Sequence, residues 1–301
     1  MANSIIIGID HGFHLMKTKS QVFENGTVKL EAKPTFESNV ICYRGNYYEI
    51  GTTRMSVKDS KIQDEDYFIL TLAAIAEELM ARRESRKARI ILAVGIPFTR
   101  FHKEQQEFMS YLKRDKEICF TYEKEHFAVT IERVICFPQC YAAIANRLGN
   151  MDGEYVVCDI GSWTTDVMFI RDKIPVANRC LTLTNSIISM MQDIVKQSVT
   201  LLGKKLPESF IWKYISGAEV RLDDEMKALI DSVLARFAAD TEGMLKENDY
   251  DMDFYNIVYV GGGASIMEHY GRHKDNILYL PDVRENAKGY EFLARSMERS
   301  V

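Results

Sequence analysis

One short pattern occurs twice in this chain and constrains its fold more than any other feature. Ile7-Gly8-Ile9-Asp10-His11-Gly12 returns as Val156-Val157-Cys158-Asp159-Ile160-Gly161. Each copy begins as an apolar, largely β-branched run of the kind that forms a buried strand. Each run ends on Asp-x-Gly, and a return strand follows, over 15–20 in the first half and 165–171 in the second. A single Asp-x-Gly arises by chance about once in a chain this long. Two copies, each closing a buried strand in its own half, predict corresponding turns of two related α/β domains. The length of 301 residues has room for two ordinary domains.

The remaining pattern alternates strands with helices. Glu24-Asn25-Gly26-Thr27 is a hairpin turn signal, and residues 28–58 read as further short strands. Ile69, Leu72, Ala73, Ala76, Leu79 and Met80 keep the spacing of a helix with one apolar face. Arg82, Arg83, Arg86, Lys87 and Arg89 close it as cations at a helix C-terminus and in a solvated loop. Residues 90–94 form a strand ended by Gly95-Ile96-Pro97. A helix over about 101–113, strands near 118–122 and 126–136, and a short helix over 139–148 follow. Ile187, Ile188, Met191, Ile194, Val195, Val199 and Leu202 mark a helix closed by Gly203, and Met226 to Leu245 another. Residues 257–260 are a buried strand running into Gly261-Gly262-Gly263, then a short helix, Ala264–Tyr270, and a last helix near 285–298. The fold class is α/β with mixed sheets flanked by helices.

Composition excludes several classes of function. A net charge of −5 argues against a basic surface that coats DNA, though not against acting on DNA through an adaptor. The apolar run 5–9 stops at Asp10, too short for a signal peptide or a membrane span. Six cysteines without a CxxC pair read as reduced, buried thiols of a cytoplasmic protein. Cys136 and Cys140 lack the second ligand pair that a zinc site needs.

The two turns suggest a chemistry. Glycine lets backbone approach a ligand, and successive N–H groups in a turn form an anion-binding nest. A neighbouring carboxylate repels phosphate unless a divalent cation stands between them. Two such turns facing across a cleft would clamp the phosphates of a nucleotide, with Asp10 and Asp159 orienting Mg2+ through its waters. Lys17, on the return strand, would add a point charge. Two plain hairpin turns with Asx-type hydrogen bonds would carry the same residues, and spacing alone does not decide. The triple glycine tips the balance, since it follows a buried strand and lets a flat ligand or diphosphate lie on the backbone. No Walker lysine motif is present.

These motifs, in their order, resemble a known superfamily. Asp10-x-Gly12 with Lys17, Gly95-Ile96-Pro97, Phe137-Pro138-Gln139, Asp159-Ile160-Gly161-Ser162-Trp163-Thr164-Thr165-Asp166 and Val260-Gly261-Gly262-Gly263-Ala264 are similar to the phosphate 1, connect 1, phosphate 2 and adenosine motifs of the actin/Hsp70/hexokinase ATPases. Within them, Val94-Gly95-Ile96-Pro97, the compact length and Asn286-Ala287-Lys288-Gly289-Tyr290 resemble the bacterial plasmid-segregation proteins of the ParM/StbA group. The resemblance implies two related actin-like (ribonuclease H-like) domains with a nucleotide cleft between them. Domain I would be 1–158, with a C-terminal helix from 283–301 returning to it, and domain II 159–282.

The resemblance also implies roles. Asp10 and Asp159 would hold the Mg2+ shell and the lytic water, and Gln139 would position that water. Glutamine cannot act as a base at neutral pH, so rate would come from orientation and electrostatics. Gly12, Phe13, His14 and Lys17 would meet the phosphates from one turn, and Gly161, Ser162, Trp163 and Thr164 from the other. Gly261, Gly262, Gly263 and Ala264 would border the adenosine, and Asp166 would support the second hairpin. Phe13 and Trp163 stand where relatives carry small residues, and inward side chains would impair phosphate binding or hydrolysis. The implied activity is slow, polymerisation-coupled hydrolysis of ATP, or of GTP, by a protein that stacks head to tail into filaments. It would move plasmid or mobile-element DNA through an adaptor bound at a centromere-like site, without touching nucleic acid or membrane itself. A nucleotide-binding scaffold with weak hydrolysis, or a small-molecule kinase of the same superfamily, are the alternatives. The chain is short for the second module of a chaperone.

Overall fold

The structure, a computed structural model, describes residues 4–52, 55, 61–114 and 116–299. Its contacts divide the chain into two compact units, Met1–Asn150 with Val283–Val301, and Met151–Asp282.

The first unit is built on strands β1 (Ile5–His11), β2 (Leu15–Thr18), β3 (Val22–Glu24), β4 (Thr27–Leu30), β5 (Val40–Tyr43), β6 (Asn46–Ile50), β7 (Lys87–Ile96), β8 (Ile118–Tyr122) and β9 (Glu125–Pro138). Its helices are α1 (Asp66–Ala81), α2 (Phe98–Leu112), α3 (Tyr141–Ile144) and α8 (Glu285–Arg299), the last numbered by chain order. Among the described residues the strands join into one sheet of order β3-β2-β1-β7-β9-β8-β5-β6-β4. Alternation along β1 sends Ile7 and Ile9 to one face, where α1 and α2 pack, and Ile6 to the other, where α3 and α8 pack. Beneath α8 that second face has no room for a side chain at two strand positions, Gly8 and Gly95. A Cβ on Gly8 would fall 2.1 Å from the Ala287 carbonyl oxygen, and one on Gly95 2.2 Å from the Tyr290 ring.

A buried ion network fastens α1 to α8. Arg82 donates from Nε to Glu78 at 2.6 Å, from Nη1 to the Ile6 carbonyl at 2.9 Å, and from Nη2 to Glu291. Glu78 also accepts from Thr18 and, at 2.9 Å, from the Ser20 hydroxyl.

The second unit has strands β10 (Glu154–Ile160), β11 (Thr165–Arg171), β12 (Ile174–Pro175), β13 (Leu181–Leu183), β14 (Asn256–Val260) and β15 (Ile277–Tyr279). Its helices are α4 (Ile187–Leu202), α5 (Glu208–Ile215), α6 (Asp224–Glu247) and α7 (Ala264–Tyr270). The sheet order is β12-β11-β10-β14-β15, with β13 on β11, and the four helices share its main core cluster. The internal repeat is thus one of topology. In the first unit β3, β2 and β1 are antiparallel neighbours and β7 and β9 then run parallel; β12, β11, β10, β14 and β15 repeat that arrangement.

The structure corrects several expectations. The strand bearing Asp159 pairs wholly inside the second sheet, so the units part at 150/151 rather than at 158/159. The basic run does not form one solvated loop: Arg82 sits in the ion network, and Lys87 and Arg89 belong to β7. The helix expected over 139–148 is cut to one turn because β9 runs on to Pro138 and Cys140 takes a left-handed φ of 64°. The thiols are free, but Cys119 is exposed and Cys42 and Cys180 are half-buried. Of the strands expected over 28–58, β4, β5 and β6 form, while 53, 54 and 56–58 lie outside the described residues. Helix α5 and the short strands β13 and β15 went unread, being too short to show a period.

Candidate functional site

Asp10 is the last residue but one of β1 and is only 2% exposed. Antiparallel register sets Lys17 of β2 directly opposite, and its Nζ donates to Asp10 Oδ2 at 2.8 Å. Gln139 follows β9, anchored by its own N–H on the Ile96 carbonyl at 3.0 Å, and its Nε2 donates to Asp10 Oδ1 at 3.1 Å. Two side chains, one from β2 and one from just past β9, therefore meet on the Asp10 carboxylate. Burial pushes the Asp10 carboxyl up, but the charge and hydrogen bond of Lys17, with the charge of Lys61, overcome this and hold it below its ordinary value. An ionised carboxylate only accepts, so the amide nitrogen of Gln139 must be the end that faces it.

The turn after Asp10 closes with the Gly12 N–H on the Leu15 carbonyl at 3.1 Å. A Cβ on Gly12 would sit 2.5 Å from that same oxygen. Asn25 holds the turn from outside, donating from Nδ2 to the Gly12 carbonyl at 2.6 Å and from its N–H to the His14 carbonyl at 2.9 Å. Phe13 is half-buried, with the Lys61 ammonium 5.8 Å from its ring centroid. His11 points into the core, where Thr71 donates to the Tyr67 carbonyl at 2.6 Å, so the 2.8 Å contact to Thr71 requires His11 Nε2 to donate. Burial, with the Lys61 charge, pushes the His11 pKa down to about 3, so the ring is neutral at pH 7.

The second unit repeats the device. Asp159 is 8% exposed near the end of β10, opposite Asp166 of β11. The Gly161 N–H bonds the Thr164 carbonyl at 2.9 Å, the same i to i+3 closure as at Gly12. Asp166 accepts from the hydroxyls of Thr164 at 3.3 Å and Thr182 at 2.6 Å, which fixes the hairpin. The first turn of α4, capped by Ser186, also grips it: the N–H groups of Ile187 and Ile188 donate to the carbonyls of Gly161 and Ser162 at 3.3 and 3.0 Å. Trp163 is 43% exposed, so its bulk is not packed into the turn.

Parallel pairing of β10 with β14 brings the triple glycine against this turn. Gly261 has φ +81°, and a Cβ there would lie 2.3 Å from Asp159 Oδ1. One on Gly263 would strike the Ile160 side chain at 2.2 Å, and the Gly263 N–H bonds the Ile160 carbonyl at 3.0 Å. Gly262 comes next to Ile187, and Ala264 is buried at the start of α7.

Each unit thus gathers its own set of expected residues. Asp10, Gly12, Phe13, His14, Lys17 and Gln139 meet in the first, and Asp159, 161–164 and 261–264 in the second. Sequence reasoning missed Lys61, Thr182 and the Ser186 cap, and it took Asn25 only as a hairpin signal. The spacing of Ser186 before an apolar helical stripe was the one signal available for the cap.

Among the described residues no three His, Cys, Asp or Glu side chains gather into a metal cage. One carboxylate per turn suits Mg2+, which keeps most of its waters and binds protein through one or two carboxylates. With Lys17 and Gln139 on its two oxygens, Asp10 fits contact through water rather than direct ligation.

Residues 8–141 match the family of actin-like proteins, N-terminal domain. No curated protein matches the chain by sequence. Among solved structures, the archaeal actin homologue Ta0583 aligns with a TM-score of 0.79 at 19% identity, over 97% of this chain and 99% of that one. Its complex with ADP aligns at 0.76 and 20% identity, over 97% and 99%. ParM of Bacillus thuringiensis with AMPPNP aligns at 0.73 and 14%, over 99% and 100%. A filament structure of Alp12 aligns at 0.71 and 14%, over 99% and 100%. At these identities the likeness shows the fold. Among the described residues no helix is long and apolar enough to cross a membrane.

Proposed function

The chain has the actin-like fold, and on that premise we propose that it is a Mg2+-dependent ATPase whose nucleotide state controls head-to-tail assembly into filaments. The observation that carries the reading is the duplicated turn. Two units place the same Asp-x-Gly turn, closed by the same hydrogen bond, at the end of the same strand of the same sheet pattern. A hairpin needed only for folding has no reason to be kept in both units with a buried carboxylate.

The roles follow from what each group can donate. The N–H groups of Gly12 and Gly161 are used inside their turns, so the amides of Phe13, His14, Ser162 and Trp163 are the ones proposed to meet phosphate oxygens. Lys17 is a point charge already beside the first turn. The flat stretch 261–263 is proposed to lie along the adenosine side of the ligand. Mg2+, held through waters by Asp10 and Asp159, would neutralise phosphate charge. Gln139, oriented by its bond to Asp10, is proposed to place the attacking water, and Asp159 to accept that water's hydrogen bond. Gln139 cannot take a proton from that water at neutral pH, so slow turnover is expected.

Such hydrolysis suits a filament clock better than metabolism. Heterologous, non-closing contacts between copies give filaments, and similar solved structures include ParM and a filament of Alp12. We further propose plasmid or mobile-element segregation through an adaptor, since a net charge of −5 disfavours direct DNA binding. Electron microscopy and light scattering with and without Mg·ATP, run beside phosphate release, test the reading. Polymers that need nucleotide, and phosphate release lost in a folded Asp159→Ala protein, are the expected results. No polymer under any nucleotide would leave a nucleotide-binding scaffold, and unchanged release in Asp159→Ala would overturn the catalytic assignment.

A further inference from the structure

Lys61 is a cation that no described carboxylate of the first unit pairs with directly. It is half-buried, and among the described residues no carboxylate lies within ion-pair distance of its ammonium. Its surroundings are aromatic instead: Nζ stands 5.8 Å from the ring centroid of Phe13, 6.0 Å from Tyr67 and 5.9 Å from Phe108. With Ile96, Glu104, Glu107 and Phe108 it lines a small cavity, but Glu104 is bonded to Arg100 at 2.6 Å. The charge that acts on it most is Asp10, which Lys17 already pairs at 2.8 Å. Loss of water outweighs that attraction and pushes the Lys61 pKa down to about 8. Lysine is seldom buried without a partner; the three rings attract the ammonium through their faces but provide no oxygen acceptor, so its N–H donors stay open to an incoming anion.

The same geometry accounts for Phe13, the bulky residue at a turn that must approach phosphate. Its ring is one of the three faces on which the ammonium rests, so it sets the cation beside the turn.

We propose that Lys61 is a polyphosphate ligand of the nucleotide site, its ammonium bonding phosphate oxygens that arrive at the Asp10–Gly12 turn while Phe13, Tyr67 and Phe108 hold it in place. This rests on the nucleotide reading above. It adds a second cation to Lys17 and gives the site a preference for nucleotides that carry more than one phosphate.

The test is calorimetric titration and thermal unfolding of the full chain, wild type against Lys61→Met, with Mg·ATP, Mg·ADP and AMP. Methionine keeps the length of the side chain and removes its charge. A charge-assisted hydrogen bond contributes roughly tenfold to a hundredfold in affinity. The variant should therefore bind ATP weaker by about that factor, bind AMP within about twofold of wild type, and unfold without nucleotide at or above the wild-type temperature, because a cation without a direct ion-pair partner has been removed. Lys61→Arg should keep most of the ATP affinity. ATP affinity within about twofold of wild type in Lys61→Met would overturn the proposal and leave the nucleotide reading standing. Equal losses for ATP and AMP, with a lower unfolding temperature, would show a structural strut and overturn it too. Failure of the wild type to bind ATP would overturn both.

Discussion

Replacing Gly261 by alanine tests the contact on which the second half-site depends. The residue has φ +81°, where an L side chain costs about 1–2 kcal/mol. The added methyl would also lie 2.3 Å from Asp159 Oδ1 and 2.8 Å from the Ile160 carbonyl oxygen. The carboxylate can rotate away, but the carbonyl belongs to β10 and moves only with the strand. Overpacking of that kind costs about 1–3 kcal/mol. Gly261→Ala should therefore lower unfolding free energy by about 2–5 kcal/mol, read as a fall in the urea midpoint at constant m. Because the Asp159 carboxylate is the group displaced, phosphate release should fall as well, even below the unfolding midpoint. The internal control is Gly243→Ala near the C-terminal end of α6, where the new Cβ meets nothing within 4 Å. That change should stabilise by about 0.5–1 kcal/mol, since alanine loses less chain entropy in a helix. A Gly261→Ala protein within about 0.5 kcal/mol of wild type would refute the claim that the triple glycine is pressed onto the Asp159 strand.

Three further outcomes are expected. Arg82→Met leaves Glu78 and Glu291 buried without their shared cation and should cost about 3–5 kcal/mol in urea unfolding. Burial raises the Glu78 carboxyl, but Thr18, Arg82 and Ser20 together hold it below its ordinary value of 4.5. The unfolded chain then binds more protons as pH falls below about 4.5, so stability should drop there, and the drop should be shallower in Glu78→Gln. Gln139→Ala should slow phosphate release by about tenfold or more with ATP affinity little changed, whereas equal losses in both would argue against a water-positioning role. A thiol reagent should label Cys119 within the native protein, while Cys136, Cys140 and Cys158 should react only on unfolding, and rapid native labelling of Cys158 would contradict its burial.

Much of the fold was legible because it is written in local periodicity. The apolar stripe over Ile187 to Leu202 and the glycine after it reproduce α4 to the residue, and Gly203 takes the left-handed φ of 64°. The paired Asp-x-Gly turns were legible for the same reason, since a buried run and its turn lie side by side in the chain. Where the reading went astray, long-range contacts had overruled local preference. Arg82 looks like a solvent-facing cation at a helix end, and it is drawn inward by Glu291, 209 residues away. Residues 139–148 carry a helical pattern, but pairing with β7 stretches β9 to Pro138 and leaves α3 a single turn.

The sequence by itself therefore determined the two-fold plan: which strands are buried, where each ends in Asp-x-Gly, and which residues could face an anion. Only the tertiary structure decided how those residues act together. Lys17 reaches Asp10 by strand register, a local matter, but Gln139 reaches it from 129 residues away, and Gly261 is brought onto Asp159 by the parallel pairing of β14 with β10. Lys61 becomes a half-buried cation only because Phe13, Tyr67 and Phe108 converge around it. The physical reason is one of range. Turn chemistry and hydrophobic period act over a few residues, whereas the desolvation and charge that tune these side chains are set by neighbours that folding alone brings close.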